Sequence, residues 1–377
     1  MSRFIPYGRQ SIDKADLQAV SEALQDDFIT TGPKVAAFEE AVAAYCGARY
    51  AVAVCNGTAA LHIASLALLQ PDWKVLVPPN TFLATVNAVL YAGARPVFID
   101  IAEDGNIDLE LCEAALEKDP TIKALYAVHF SGNPVDQGKL ARLKERFGIT
   151  ILEDCAHSIG AAQAGIRAGS CTRSDASIFS FHPVKHLTTG EGGMVTTNSE
   201  SLYRTLMTLR NHGIVKTPGM DPWAYEMRML GFNYRITDVQ CALGLSQLKR
   251  LDGFIARRRA LAKRYDKAFE DHPLIRPLYP YTSDSSYHLY VILIDFERAA
   301  LDRRTLFEKM REEGVGLQVH YMPVNRQPYY RSLGYGDEKM PVMDRYYARC
   351  VSLPLYPDLK ESEQDRVIAI LKGLIGA

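Results

Sequence analysis

The chain has 377 residues, 47% of them hydrophobic and 23% charged, enough to bury a large core and too many for one small domain. Its formal net charge of −1 supplies no general field for drawing in nucleic acid or an anionic membrane, so any phosphate must be held locally. The seven cysteines are scattered without a Cys-x-x-Cys pair, which argues against a disulfide framework or a zinc site, and no stretch approaches the ~20 apolar residues a membrane span needs.

The opening segment carries no apolar signal region, and no targeting is expected from it. Ile12, Leu17, Val20 and Leu24 fall on one side of an amphipathic helix expected over residues 13–25. Thr30 and Thr31 lie in a turn before a second helix over 33–46, which has Pro33 in its first turn. Residues 50–55 form an apolar strand, after which Asn56-Gly57-Thr58 opens a helix over 59–69. A strand entering a helix through Gly57 and Thr58 offers unpaired amides and a hydroxyl to an anion, with the positive end of the helix behind them. The same triplet also serves as an ordinary turn and cap.

Further strands are expected at 74–77, 95–100, 122–128 and 149–152, alternating with helices at 83–91, 109–116 and 137–147. That alternation predicts an α/β fold with a mainly parallel sheet and a site at the carboxyl ends of its strands. Phe82 stands just ahead of one helix, where an aromatic usually fills core. Asp154 and His157 follow the strand at 149–152; an Asp there is commonly a cap, and a lone His is more often a packing residue than a catalyst.

The stretch from Ser177 to Val195 reads Ser-Ile-Phe-Ser-Phe-His-Pro-Val-Lys-His-Leu-Thr-Thr-Gly-Glu-Gly-Gly-Met-Val. A strand over 176–181 delivers Ser180, Pro183 stops it, and Gly190, Gly192 and Gly193 let the backbone turn before a strand at 193–197. Lys185 sits in the middle of this stretch, in a place no core requires. Alone, it would be one more solvated loop lysine. A helix over 199–211 and a Gly- and Pro-containing loop over 213–225 follow. Thr237-Asp-Val-Gln240 has the form of a capping box that opens one long helix towards residue 269. Beyond residue 271, strands at 288–294 and 316–321 and helices at 303–313 and 361–374 make a smaller α/β unit. The expected domains are therefore 1–250 and 251–377, joined by the long helix.

The wording around Lys185, together with Leu230-Gly-Phe-Asn-Tyr-Arg-Ile-Thr-Asp-Val-Gln240, resembles the DegT/DnrJ/EryC1/StrS sugar aminotransferases, which are fold-type I pyridoxal-phosphate enzymes. The resemblance covers essentially the whole chain. It implies a seven-stranded, mainly parallel sheet in a large domain, with its last strand antiparallel, plus a smaller C-terminal α/β domain. It implies pyridoxal 5′-phosphate as cofactor and Lys185 as the catalytic lysine that links to it and shuttles the proton. Asp154 is implied to pair with the pyridine nitrogen, Phe82 to cover a ring face, and Gly57, Thr58 and Ser180 to hold the phosphate. Asn233 is implied to reach the phosphate of a neighbouring subunit, which makes the active site a property of a homodimer. His157 stands where relatives often have Gln, and is implied to bind the cofactor near its phenolic oxygen. His320 and Tyr321 resemble residues beside the sugar site but could equally brace a domain interface.

His157, the run from Ala242 to Lys249 and the run from Gln318 to Tyr321 most resemble the branch that aminates UDP-linked 4-keto-6-deoxy sugars on the way to pseudaminic acid. The implied substrates are L-glutamate and UDP-2-acetamido-2,6-dideoxy-β-L-arabino-hexos-4-ulose. A different nucleotide 4-keto sugar, of perosamine, bacillosamine or aminoarabinose type, remains an alternative, as does a catalytically silent relative. Related dehydratases typically have His in place of this lysine, which counts against that activity. A dinucleotide oxidoreductase is disfavoured because no Gly-x-Gly-x-x-Gly follows the first strand. No metal, nucleic acid or membrane partner is expected, and the unpaired cysteines fit a cytoplasmic location.

Overall fold

The structure, a computed structural model, describes residues 4–376. Helices α1 (Lys14–Ala23) and α2 (Pro33–Cys46) precede β1 (Tyr50–Val54) and α3 (Gly57–Leu68). The chain then alternates through β2 (Lys74–Val77), α4 (Leu83–Tyr91), β3 (Arg95–Phe98), α5 (Leu109–Lys118), β4 (Ile122–Val128), α6 (Gln137–Phe147) and β5 (Thr150–Asp154). After β6 (Ala176–Ser180), β7 (Gly193–Thr197) and α7 (Glu200–Arg210), the strands form one seven-stranded sheet in the order β1-β7-β6-β5-β4-β2-β3. β7 runs antiparallel to both its neighbours, and every other pairing is parallel. This is the fold expected of a fold-type I enzyme.

The two-residue period of the strands builds an apolar layer on each face of the sheet. Val75, Val77, Ala124 and Tyr126 pack with α3 and α4, whereas Leu76, Leu125 and Ala127 pack with α5 and α6. Fully burying each of the larger aliphatic side chains contributes about 1.5–3 kcal/mol. In β5 the same alternation sends Ile151 to the α5–α6 layer and Leu152 to the α3–α4 layer, and therefore Glu153 and Asp154 to opposite faces.

Where one long helix was expected, the structure has α8 (Asp238–Leu248) and α9 (Leu251–Phe269), broken at Lys249 and Arg250. The Arg250 amide bonds three residues back, to Gln247, in a tightened turn. Its guanidinium pairs with Asp13 and Asp16 of the α1 start, and Gln247 Nε2 donates to Asp16 at 2.6 Å, so the N-terminal segment clamps the joint. The expected apolar face of α1 is not its packing face. Asp16 and Ala23 are buried against α8, while Leu17 and Leu24 stay exposed.

The later part of the chain builds an antiparallel sheet of β8 (Ile275–Pro277), β9 (Tyr290–Ile294) and β10 (Cys350–Leu353), with helices α10 (Arg303–Glu312), α11 (Pro328–Ser332), α12 (Pro341–Arg349) and α13 (Glu361–Ile375). The segment before α1 joins this unit: Ile5 pairs with Val315, and the Leu355 amide donates to Tyr7 O at 3.0 Å. The strand expected over 316–321 does not form. The amides of Gly316, Gln318 and Tyr321 bond to Ile5, Ser352 and the Asn80 side chain respectively, so no single ladder claims them. Among the described residues no helix is long and apolar enough to cross a membrane.

Candidate active site

β5 finishes on Asp154, β6 finishes on Ser180, and α3 starts at Gly57 just beyond β1. With the first turn of α4, these ends border a cavity of about 650 Å³. Gly57, Thr58, Phe82, Asp154, His157, Ser180 and Lys185 all line it. Asn233 does not; it is exposed and bridged to Asn211. A larger hollow of about 770 Å³ runs beside α2 and α7, but it holds neither Lys185 nor Asp154, and its Glu39 and Arg210 are paired with each other. The chemistry lies in the smaller one.

One end of the cavity suits an anion. Asn56 caps α3 by accepting from the Ala59 amide at 2.8 Å, which leaves the amides of Gly57 and Thr58 without a partner among the described residues. The Ser180 hydroxyl lines the same wall. A Cβ at position 57 would come within 2.8 Å of Ser180 Cβ, so the bare backbone of Gly57 is what permits this close cradle. First-turn amides, a hydroxyl and the positive helix end together make a phosphate site.

The other end suits a flat ring. Burial pushes the Lys185 amine down to about 8, an effect the nearby Asp154 charge partly offsets. Asp154 is itself held, with Oδ2 accepting from Thr85 Oγ1 at 2.7 Å and Oδ1 from the Ala156 amide at 3.0 Å. Phe82 is 58% exposed despite the apolar helix that follows it, so it is not core filling; its ring borders the cavity, 6.3 Å from that of Tyr321.

His157 lies between these groups and the later part of the chain. Its ring centroid is 4.3 Å from that of His288, and its Nε2 is 3.2 Å from the Tyr321 hydroxyl. Its Nδ1 is buried with no partner among the described residues. Burial, reinforced by the Lys185 charge, holds this imidazole well below its ordinary pKa, so it is neutral at physiological pH. Burial likewise lowers His320 to about 3 and raises the Tyr321 phenol, so both are uncharged in the cavity wall.

Several cavity residues were not evident beforehand. Tyr7 arrives from the N-terminal segment with its ring 5.6 Å from that of His320, and no local pattern marked it. His288 needed the fold to bring it to His157. Thr81 and Thr85 needed it too, since Thr81 lies ahead of α4 and no helical spacing links the pair.

These fittings match pyridoxal phosphate. The cradle at Gly57 fits its phosphate, Lys185 its aldehyde, Asp154 its ring nitrogen, the exposed face of Phe82 its ring, and the orphaned Nδ1 of buried His157 offers a further hydrogen bond.

Known proteins resemble this chain over nearly its whole length. The model of the DegT/DnrJ/EryC1/StrS aminotransferase family matches residues 10–372. The UDP-4-amino-4,6-dideoxy-N-acetyl-beta-L-altrosamine transaminase of Campylobacter jejuni is 40% identical over 374 residues, covering 98% of each chain. Among solved structures, Helicobacter pylori PseC, an aminotransferase involved in the biosynthesis of pseudoaminic acid, superposes with a TM-score of 0.93 at 30% identity over 99% of each chain. The PLP-form of Spr1654 from Streptococcus pneumoniae does so at 0.89 with 28% identity over 98% of each chain. A family match over nearly the whole length, on a cavity that joins a half-buried lysine to a carboxylate, means that the chain belongs to the DegT/DnrJ/EryC1/StrS aminotransferase family, whose members depend on pyridoxal phosphate.

Proposed function

We propose that this enzyme moves an amino group from L-glutamate to C4 of a nucleotide-linked 4-keto-6-deoxy sugar, with UDP-2-acetamido-2,6-dideoxy-β-L-arabino-hexos-4-ulose as the acceptor, in pseudaminic acid biosynthesis. The single observation carrying the amino-transfer chemistry is the placement of a half-buried, readily deprotonated Lys185 in one cavity with Asp154. The altrosamine transaminase of C. jejuni, 40% identical over its length, supports the acceptor.

Pyridoxal 5′-phosphate, when bound, supplies the electron sink for amino transfer. Lys185 would hold its aldehyde, Asp154 its ring nitrogen, Gly57, Thr58 and Ser180 its phosphate, Phe82 one ring face, and His157 its edge. The free Lys185 amine takes a proton from the Cα of glutamate and later delivers one to C4 of the sugar. Its tether keeps it in reach without a diffusional encounter. The face from which it delivers that proton sets the configuration of the product. His157 orients the cofactor and moves no proton in this scheme, consistent with its neutrality.

The working form is a homodimer in which Asn233 serves the partner's phosphate. Asn233 is exposed away from its own cavity, and large apolar side chains stand in solvent on α1 and beyond it, including Leu17, Leu24, Phe28 and Ile29. Residues 1–250 act as the cofactor-binding domain and 251–377 as the smaller one. Seven free thiols suit the reducing cytoplasm.

Incubation with candidate UDP-linked 4-keto sugars and glutamate, followed by NMR of the amino sugar, tests the substrate. Amination at C4 of the β-L-arabino acceptor in preference to its isomers is expected, and turnover of another nucleotide 4-keto sugar alone would overturn the assignment.

The lowered pKa of Lys185 also fixes a pH dependence. Only the neutral amine attacks an aldehyde, and at pH ~7.5 a group titrating at about 8 is roughly a quarter neutral, against about a thousandth for an ordinary lysine. Cofactor uptake by the apo-protein, followed by absorbance, is expected to accelerate with rising pH and level off just above pH ~8. A rate still climbing steeply at pH ~10 would mean that Lys185 titrates as a solvated lysine.

A further inference from the structure

We propose that Thr85, with Thr81 behind it, is a positioning residue that fixes the Asp154 carboxylate for the cofactor's ring nitrogen; this rests on the reading of Asp154 given above. Thr85 Oγ1 donates to Asp154 Oδ2 at 2.7 Å. The hydroxyls of Thr81 and Thr85 are also 2.7 Å apart. A carboxylate only accepts, so the single hydroxyl proton of Thr85 is committed to Asp154, and Thr81 must be the donor in the second bond. The result is a one-way chain of hydroxyl dipoles running from Thr81, just ahead of α4, to Thr85 in its first turn and ending on the carboxylate.

Both threonines are nearly fully buried and border the cavity. Thr85 is not explained by the helix. A threonine hydroxyl inside a helix ordinarily bonds back to the carbonyl four residues earlier, and a structural need for a β-branched side chain would be met by valine. Here the hydroxyl of Thr85 goes to side chains only. On the other oxygen, the Ala156 amide bonds to Oδ1 at 3.0 Å, so the carboxylate is gripped from both sides and its plane cannot swing.

Two consequences follow for a ring nitrogen that meets this carboxylate. Its partner is pre-oriented, so no reorganisation is needed when the proton between them must stay put. Hydrogen bonds into a carboxylate also favour its charged form, and linked hydroxyls reinforce one another in a dry site. Both effects leave the shared proton on the ring nitrogen. α4 thus serves the ring twice, with Phe82 at its N-cap for the face and Thr85 one turn on for the carboxylate.

The test compares wild type, Thr85→Val, Thr85→Ser and Thr81→Val as holoenzymes, each checked for folding by circular dichroism. The first readout is ring-nitrogen NMR of isotope-labelled pyridoxal phosphate bound to each protein. Thr85→Val is expected to move the ring-nitrogen signal towards the unprotonated form and to lower kcat on the order of tenfold with little change in KM for the sugar. Thr85→Ser is expected to restore both, and Thr81→Val to move both in the same direction by less. A wild-type signal and kcat in Thr85→Val would overturn the proposal. Should Thr85→Val not fold, Thr81→Val decides, and wild-type values there would overturn it equally. Failure of the wild type itself to bind pyridoxal phosphate would sink the reading of Asp154 instead, which separates the two outcomes.

Discussion

Lys185→Ala is expected to abolish amino transfer, with kcat/KM lower by on the order of 10⁴-fold or more, because in the proposed scheme one side chain both holds the cofactor and carries the proton. No neighbour can replace it. The nearby histidines His157, His288 and His320 are held neutral by burial and, like Asp154, lack the primary amine the aldehyde needs. The fold should survive, since shortening a half-buried lysine to alanine removes a desolvated amine and no core packing. Glutamate-dependent amination measures the loss, and borohydride trapping followed by peptide mass spectrometry should find a pyridoxyl adduct on Lys185 in the wild type and none in the variant. A variant retaining a tenth of wild-type activity would refute the assignment.

Glu153→Ala carries the largest expected effect on stability, about 3–5 kcal/mol, because it leaves several buried donors without their common acceptor. Glu153 is fully enclosed behind the sheet, on the face opposite Asp154. Its Oε1 accepts from His129 Nε2 at 3.0 Å and Gln137 Nε2 at 2.7 Å, and its Oε2 from Ser174 at 2.6 Å and Ser177 at 3.2 Å. Burial alone would raise this carboxyl, but the His129 contact, Ser174 and Gln137 outweigh it and hold the group below the ordinary carboxylate range. Since the folded pKa lies below the unfolded one, the stabilisation is fully present above pH ~4.5 and is lost progressively as pH falls from there through the folded value of about 2. Urea titrations of wild type and variant should therefore differ most near neutrality and converge in acid. A difference under ~1 kcal/mol at pH ~7 would mean that the network is not holding the sheet.

Much of the architecture was readable locally. The helices at α2, α4 and α6 and the strands β2, β4 and β7 fall where period and caps put them, since those signals depend on neighbours a few residues away. Asp108, Asp136 and Ser199 each accept from amides in the first turn of the helix they precede. The misreadings share one cause. For α1, period alone could not say which face meets the protein, and a buried Asp16 tied to Arg250 decided it. For 316–321, an alternating run looked like a strand, but its amides had nearer partners elsewhere.

The amino-acid sequence by itself determined which residue types stand at the mouth of the sheet: a lysine between a strand end and a glycine turn, an aspartate at the next strand's end, and Gly57-Thr58 at a helix start. Backbone preference sets such placements within a dozen residues. Tertiary structure alone decided which distant groups complete them. Tyr7, Thr85 and Tyr321 reach the cavity from three separate segments. Asp100, at the end of one strand, accepts from the amides of Val342 and Met343 at 2.9 Å each and so caps α12, while Asp238 does the same for Gly32 and Lys34 at the start of α2. The reason is desolvation. A buried polar group must find a partner wherever packing puts one, and that partner is set by the fold rather than by spacing along the chain.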